Sequence, residues 1–326
     1  MITSVQNPRV KAWSQLLDRK GRDKQQQFMI EGVHLVQEAL ASGAKMETLV
    51  FAEERQHELP AGLLAAAVSA GVECVAVSDA VLAKCTDALA PQAVFAVLPK
   101  LQWRPQDLLR LDAQGAVGMA AESAAIAAVA LPGQGANLLP ATQAQAASAA
   151  TDLALAARIL PASAFASLVV VIDGVQDPGN LGTIIRSADA VGATGILLGK
   201  GTVDLYNPKT VRSTMGSLFH LPIASGDLLE WLPAAAKQGV AVVTTSLQAT
   251  LSCYDFDFCG PVWFVIGNEG QGVSAEVSAF ATERIRIPMQ GGAESLNAAM
   301  AATVVLFEAM RQRDCNQTII SVHDHK

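Results

Sequence analysis

The sequence predicts an α/β protein in which a parallel sheet, covered by helices on both faces, follows a smaller α/β unit. Three observations carry this. Apolar, β-branched runs alternate with helical patterns near the start of the chain. Longer and almost uninterrupted apolar runs recur in its second half. Between them, residues 101–166 are dominated by Ala, Gln, Gly, Ser and Pro. A chain of 326 residues holds two domains of roughly 150 residues each.

In the first stretch, residues 1–100, the strand-like runs are Phe28–Ile30, Thr48–Phe51, Val72–Val77 and Val94–Leu98. The stretch 101–166 favours helix through its alanines, but alanine faces bury too little area to dock firmly. A mobile linker with transient helix is therefore expected. Residues 167–314 carry Leu168–Ile172, Gly195–Leu198, Val240–Thr244, Val262–Ile266 and Ile285–Ile287. Runs without alternation are those of strands buried on both faces. Residues 315–326 read as a polar tail.

Hydrophobic residues make up 51% and charged residues 16%, with a net charge of -7. This composition excludes a disordered polyelectrolyte and a globally basic nucleic-acid binder, so any phosphate-binding surface must be local. Five scattered cysteines without a Cys-x-x-Cys pair read as reduced, buried thiols, and no metal is expected. The N-terminus lacks a signal-peptide pattern, and no run reaches a membrane span of about 18 apolar residues. A cytoplasmic location without membrane attachment is expected.

In open parallel sheets, ligands bind beyond the carboxyl ends of strands. Ile172 is followed by Asp173-Gly-Val-Gln-Asp-Pro178-Gly-Asn180 and a helix whose apolar positions Leu181, Ile184, Ile185 and Ala188 share a face. Asn180 reads as its N-cap. Arg186, on the opposite face, is placed either to grip a phosphate or merely to pair with Asp189. Gly199-Lys200-Gly201-Thr202 fails the phosphate-loop spacing, and the early glycine fingerprint of dinucleotide sites is missing. Lys209 and Arg212 stand three apart on one helical face. Ile266 runs into Gly267-Asn-Glu269-Gly-Gln-Gly272, and Ile287-Pro-Met289 leads to Ser295-Leu296-Asn297. Ser295 reads as a cap of the last helix, with Asn297 in its first turn. Glycine-bearing loops at adjacent strand ends leave main-chain groups able to read a planar, neutral ligand.

Asn180-Leu-Gly182-Thr-Ile-Ile-Arg186, Ile266-Gly-Asn-Glu269-Gly-Gln-Gly272 and Ile287-Pro-Met289 with Ser295-Leu-Asn297, in this order and spacing, closely resemble the three motifs of the SpoU (TrmH) family of RNA ribose 2′-O-methyltransferases, in the SPOUT superfamily. Ser4-Val-Gln-Asn-Pro8-Arg9-Val-Lys11, Arg19-Lys20-Gly-Arg22, Phe28 and Glu31-Gly32 look like that family's L30e-like substrate-binding domain. The resemblance spans residues 4–98 and 168–312. Ala93 stands where the family more often carries glycine.

The resemblance implies a trefoil-knotted parallel sheet that binds S-adenosylmethionine, a homodimer through the knotted domain, and structured RNA as substrate, ribosomal RNA before transfer RNA. A non-catalytic RNA-binding scaffold is the alternative, against which the intact motifs count. Asn180, Arg186 and Glu269 would carry catalysis. Thr245, Gly267, Ile287, Met289, Ser295, Leu296 and Asn297 would surround the cofactor. Arg186 would hold the phosphate and polarise the hydroxyl without losing its proton, since a guanidinium stays charged. Phosphate, Glu269 or water would accept the proton. Residues 1–24 hold six basic side chains against Asp18 and Asp23. Arg9, Lys11, Arg19, Lys20 and Arg22, with Lys209 and Arg212, are the expected RNA contacts.

Overall fold

The computed structural model describes residues 1–87, 90–109, 166–292 and 295–323. Most of the alanine-rich stretch, residues 110–165, lies outside the described residues. The rest divides into two units, one holding 1–102 with 204–220, the other 103–109, 166–203 and 221–323.

The first unit begins with α1 (Pro8–Gln15), capped by Asn7, and α2 (Arg19–Gln25). Strands β1 (Gln27–Glu31), β2 (Thr48–Ala52), β3 (Glu73–Val77) and β4 (Val94–Pro99) then alternate with α3 (Val33–Ala41), α4 (Leu63–Ser69) and α5 (Asp79–Cys85). The sheet order is β1-β4-β2-β3, antiparallel except between β2 and β3. Trp13, Val50, Val81 and Phe95 pack in its core. Ala93 sits outside the left-handed region and accepts a hydrogen bond from Ala52 N at 2.9 Å. No glycine is required there.

In the second unit, residues 103–109, expected in the linker, contribute α6 (Pro105–Leu109), whose Leu108 packs against Val169, Val171 and Leu197. Strand β5 (Leu168–Asp173) leads to α7 (Pro178–Ala190) and β6 (Gly195–Leu198). The segment 204–220, with α8 (Pro208–Thr214), belongs to the first unit. The second unit resumes with β7 (Ile223–Ser225), α9 (Leu228–Lys237), β8 (Ala241–Thr245), β9 (Leu251–Ser252), β10 (Val262–Gly267), α10 (Ala275–Ser278), β11 (Glu283–Arg286) and α11 (Ala298–His323). Residues 315–323 of the expected tail thus continue the last helix. The sheet order is β7-β6-β5-β10-β8-β11-β9, and every pairing is parallel. Val169, Val171, Trp263 and Val265 are fully buried, as strands covered on both faces require. The two strands that no pattern announced, β7 and β9, are short edge segments.

All strands being parallel, their carboxyl ends open on one edge. The consecutive neighbours β5, β10, β8 and β11 bring Asp173, Gly267, Thr245 and the residues after Arg286 to that edge.

Candidate active site

Helix α7 starts two residues earlier than the expected cap at Asn180. Asp177 is the cap: its Oδ1 accepts from Asn180 N at 2.8 Å, and Pro178 occupies the first helical position. Proline is favoured there because it has no N–H to leave unpaired. The correction frees the Asn180 side chain for other bonds. At the last helix the roles are likewise reassigned. Asn297, not Ser295, caps α11, its Oδ1 accepting from Ala299 N at 2.9 Å and Met300 N at 3.3 Å.

These two asparagines and Glu269 form one network. Glu269 Oε1 accepts from Asn180 Nδ2 at 3.0 Å and Asp177 N at 3.1 Å, and Oε2 accepts from Gln176 N at 3.1 Å. Asn180 Oδ1 accepts in turn from Asn297 Nδ2 at 3.0 Å. The donor direction is forced from one end, because a carboxylate can only accept. Asn180 must therefore turn its NH₂ to Glu269, and Asn297 must donate to the remaining oxygen. Burial works against the charge on Glu269, but the bonds from Asn180, Asp177 and Gln176 outweigh it and hold its carboxyl below the usual range. With three donors aimed at it, this carboxylate is a clamp and a poor proton acceptor.

The loop that presents Glu269 is closed by reciprocal Asn268–Gly272 main-chain bonds, both 2.9 Å. Asn268 Nδ2 donates to Gly174 O at 2.9 Å while its Oδ1 accepts from Gly270 N and Gln271 N. A Cβ on Gly267 would lie 2.1 Å from the Gly272 carbonyl carbon, so only glycine permits this closure. Asp173 completes the corner by accepting from Ser274 N at 2.7 Å. Sequence reading missed Asp177, Asn268 and Asp173 as functional supports. The Asp-Pro pair was the available signal for the first.

Arg186 and Thr183 are exposed on α7. Arg186 joins neither the network nor an ion pair among the described residues. Thr245, Ile287 and Met289 are half-buried, Gly267 is buried, and Ser295 and Leu296 are exposed. Residues 287–292 and 295–296 form no main-chain hydrogen bonds among the described residues. Free main-chain groups beside apolar side chains, with no buried charge, suit an adenosyl group read through its base edge.

Of the expected RNA contacts, Lys11, Arg19 and Lys20 are exposed. Arg9 makes a two-pronged pair with Glu73, Nη1 to Oε1 at 2.8 Å. Arg22 is overturned as a surface contact: it is 2% exposed and bound to Asp204, as a charge removed from water requires. Arg212 is engaged by Glu31 at 3.6 Å and Asp87 at 3.5 Å. Lys209 is exposed but has a partner. Among the described residues, no group of three or more side chains could hold a metal, and no helix is long and apolar enough to cross a membrane.

Residues 167–307 match the SpoU rRNA Methylase family and residues 7–96 the MRM3-like substrate binding domain. The chain is 32% identical over 307 residues to the 23S rRNA (guanosine(2553)-2′-O)-methyltransferase RlmP of Bacillus subtilis, covering 94% of this chain and 97% of that protein. It belongs to the SpoU family. An AdoMet-bound rRNA methyltransferase from Sinorhizobium meliloti superposes with a TM-score of 0.69 at 32% identity, over 95% of this chain and 97% of that one. The SpoU methyltransferase AviRb from Streptomyces viridochromogenes, in complex with AdoMet, gives 0.71 at 29% identity, over 94% and 98%. Both likenesses cover residues of the first unit as well as of the second.

Proposed function

We propose that this SpoU-family chain methylates a ribose 2′-hydroxyl of ribosomal RNA with S-adenosylmethionine as donor. The observation that carries the reading is the Glu269–Asn180–Asn297 network, built at the carboxyl edge beside main-chain groups that have no partners among the described residues. The bound cofactor would supply an activated sulfonium methyl, so alignment and the loss of one proton are what remains for the protein. Main-chain groups around Thr245, Gly267, Ile287, Met289 and Leu296, with Ser295 nearby, would hold the cofactor.

Glu269 fixes Asn180, and Asn180, held on its other side by Asn297, orients the ribose. The Arg186 guanidinium stays protonated and grips the phosphate while polarising the 2′-oxygen. The new bond joins that oxygen to the methyl carbon, the carbon–sulfur bond breaks with its electrons left on sulfur, and the hydroxyl proton passes to phosphate or water. Glu269 does not take it, because its oxygens are already engaged.

Lys11, Arg19 and Lys20 form the phosphate-contacting surface, Arg9 being tied to Glu73 and Arg22 being internal. The chain acts in the cytoplasm as a homodimer of trefoil-knotted domains. Helix α11 exposes Met300 at 64% and Phe307 at 43%, seven residues apart and so on one face, and a second copy would cover them.

The test is transfer of labelled methyl from S-adenosylmethionine to rRNA by the purified chain, with the ribose position mapped. Alkali-resistant linkages at one nucleotide are expected; cofactor binding without methyl transfer to any RNA would overturn the reading.

A further inference from the structure

Helices α7 and α11, both in the second unit, meet at two polar points. The first is the bond from Asn297 Nδ2 to Asn180 Oδ1 at 3.0 Å. The second joins Ser187 and Thr303, whose hydroxyl oxygens are 2.7 Å apart. Thr303 Oγ1 also donates to Ala299 O at 2.8 Å. A hydroxyl has one hydrogen to give, so Ser187 donates to Thr303 and the direction of the bond is fixed. Asn180 and Ser187 stand two turns apart on one stripe of α7, a separation of about 10 Å at the helical rise per residue. Their partners on α11 follow in the same order, Asn297 and then Thr303. The two bonds thus hold α7 at its start and again beyond its middle.

Arg186 is the residue next to the second point, and it is exposed while Ser187 is buried. Leu181, Ile184, Ile185 and Ala188 of α7 are fully buried, but apolar burial is non-directional and is not exacting about small rotations. A single polar bond in the first turn would act as a pivot, about which a residue two turns on could swing. The second bond, with its preference for one donor angle, removes that freedom. We propose that Ser187 and Thr303 are positioning residues for methyl transfer. Their bond fixes the rotation of α7 and thereby the direction from which Arg186 meets the RNA phosphate and the 2′-oxygen. The inference rests on the reading of Arg186 as the group that grips the phosphate. Both residues lie just outside the motifs legible in the sequence, Ser187 after Arg186 and Thr303 in the helix that follows Asn297.

Two substitutions in the full chain test this. Thr303→Val removes the acceptor at nearly constant side-chain shape, and Ser187→Ala removes the donor while Thr303 keeps its bond to Ala299. Each should lower kcat for rRNA about 10-fold, since misplacement of about 1 Å can cost 10²-fold. Affinity for S-adenosylmethionine should stay within roughly twofold of wild type, and Thr303→Ser, which keeps the hydroxyl, should keep the wild-type rate. In an Arg186→Ala background the same two substitutions should change the residual rate by less than about twofold, because residues acting through a common group are not additive. A merely structural role would cost the same factor in both backgrounds. Wild-type kcat in either folded variant, an equal fold-loss with and without Arg186, or an equal loss in Thr303→Ser would each overturn the proposal. A wild-type chain that methylates no RNA would instead overturn the enzyme reading, and the role of Arg186 with it, an outcome distinct from an active wild type whose variants are indifferent.

Discussion

The two edges of the seven-stranded sheet treat their main-chain groups in opposite ways. At the amino edge, Arg313 of α11 donates to Phe258 O at 2.9 Å, Ala166 O at 2.6 Å, Gly260 O at 2.9 Å and Ser167 O at 3.3 Å. Gln312 beside it accepts from Phe258 N and donates to Phe256 O. Burial pushes the Arg313 guanidinium below its ordinary pKa, a cost the carbonyls offset by accepting every N–H aimed at them. At the carboxyl edge, side chains bond to one another while residues 287–292 keep main-chain groups unpaired among the described residues. Polar groups satisfied by protein close one edge, and groups left for a ligand open the other.

Four experiments break or sharpen this contrast. The largest effect is expected at the open edge: Arg186→Ala should lower kcat by roughly 10²-fold or more, as loss of one group stabilising developing charge does, with the melting temperature unchanged because the side chain has no ion pair among the described residues. Arg186→Lys should recover only part of that rate; near-normal turnover would show that a two-pronged grip is not required. At the closed edge the order inverts. Arg313→Met should cost about 1–3 kcal/mol of stability by orphaning part-buried carbonyls, measured by denaturant unfolding, while kcat per folded molecule stays the same.

An intermediate effect is expected from the acid side of the pH profile. Glu269 is held below its ordinary value of 4.5, so its clamp is fully formed above that value and is lost only as pH falls through the lower, folded one. Methyl-transfer rates should therefore show no Glu269 limb between about pH 5 and 8, and an inflection there that disappears in Glu269→Gln would contradict the clamp. The smallest effect belongs to the surface. Neutralising Arg19 and Lys20 should reduce the salt slope of rRNA binding by up to about 0.9 for each phosphate that no longer meets a cation, read from affinities across a salt series, whereas a folded Arg22→Met variant should leave the slope unchanged.

Local pattern sufficed wherever a residue's role depended on its neighbours along the chain. Near-continuous apolar runs announced β5, β6, β8 and β10 within a residue or so, because burial on both faces leaves little freedom in composition. The closed turn at Gly267 was legible for a similar reason, glycine being tolerated where other side chains collide. Short β7 and β9 were not legible, since two or three residues carry no period. The caps were read one motif off. Asn180 and Ser295 are good capping residues by type, but the helix starts were decided by Pro178 and by the reach of Asn297 back to Asn180.

The sequence by itself determined the fold class, the strand ends that face a ligand and the family motifs Asn180, Arg186 and Glu269. Each of these follows from residue type and spacing. Tertiary structure alone decided which charges are available. Arg22 and Arg186 are the same side chain on exposed-looking helices, yet one is enclosed by Asp204 and two carbonyls while the other has no ion pair among the described residues. Partners 182 residues apart in Arg22 and Asp204, and 117 apart in Asn180 and Asn297, are brought together only when the sheets form. Burial and pairing are properties of that assembly, and they separate an enclosed cation from an exposed one.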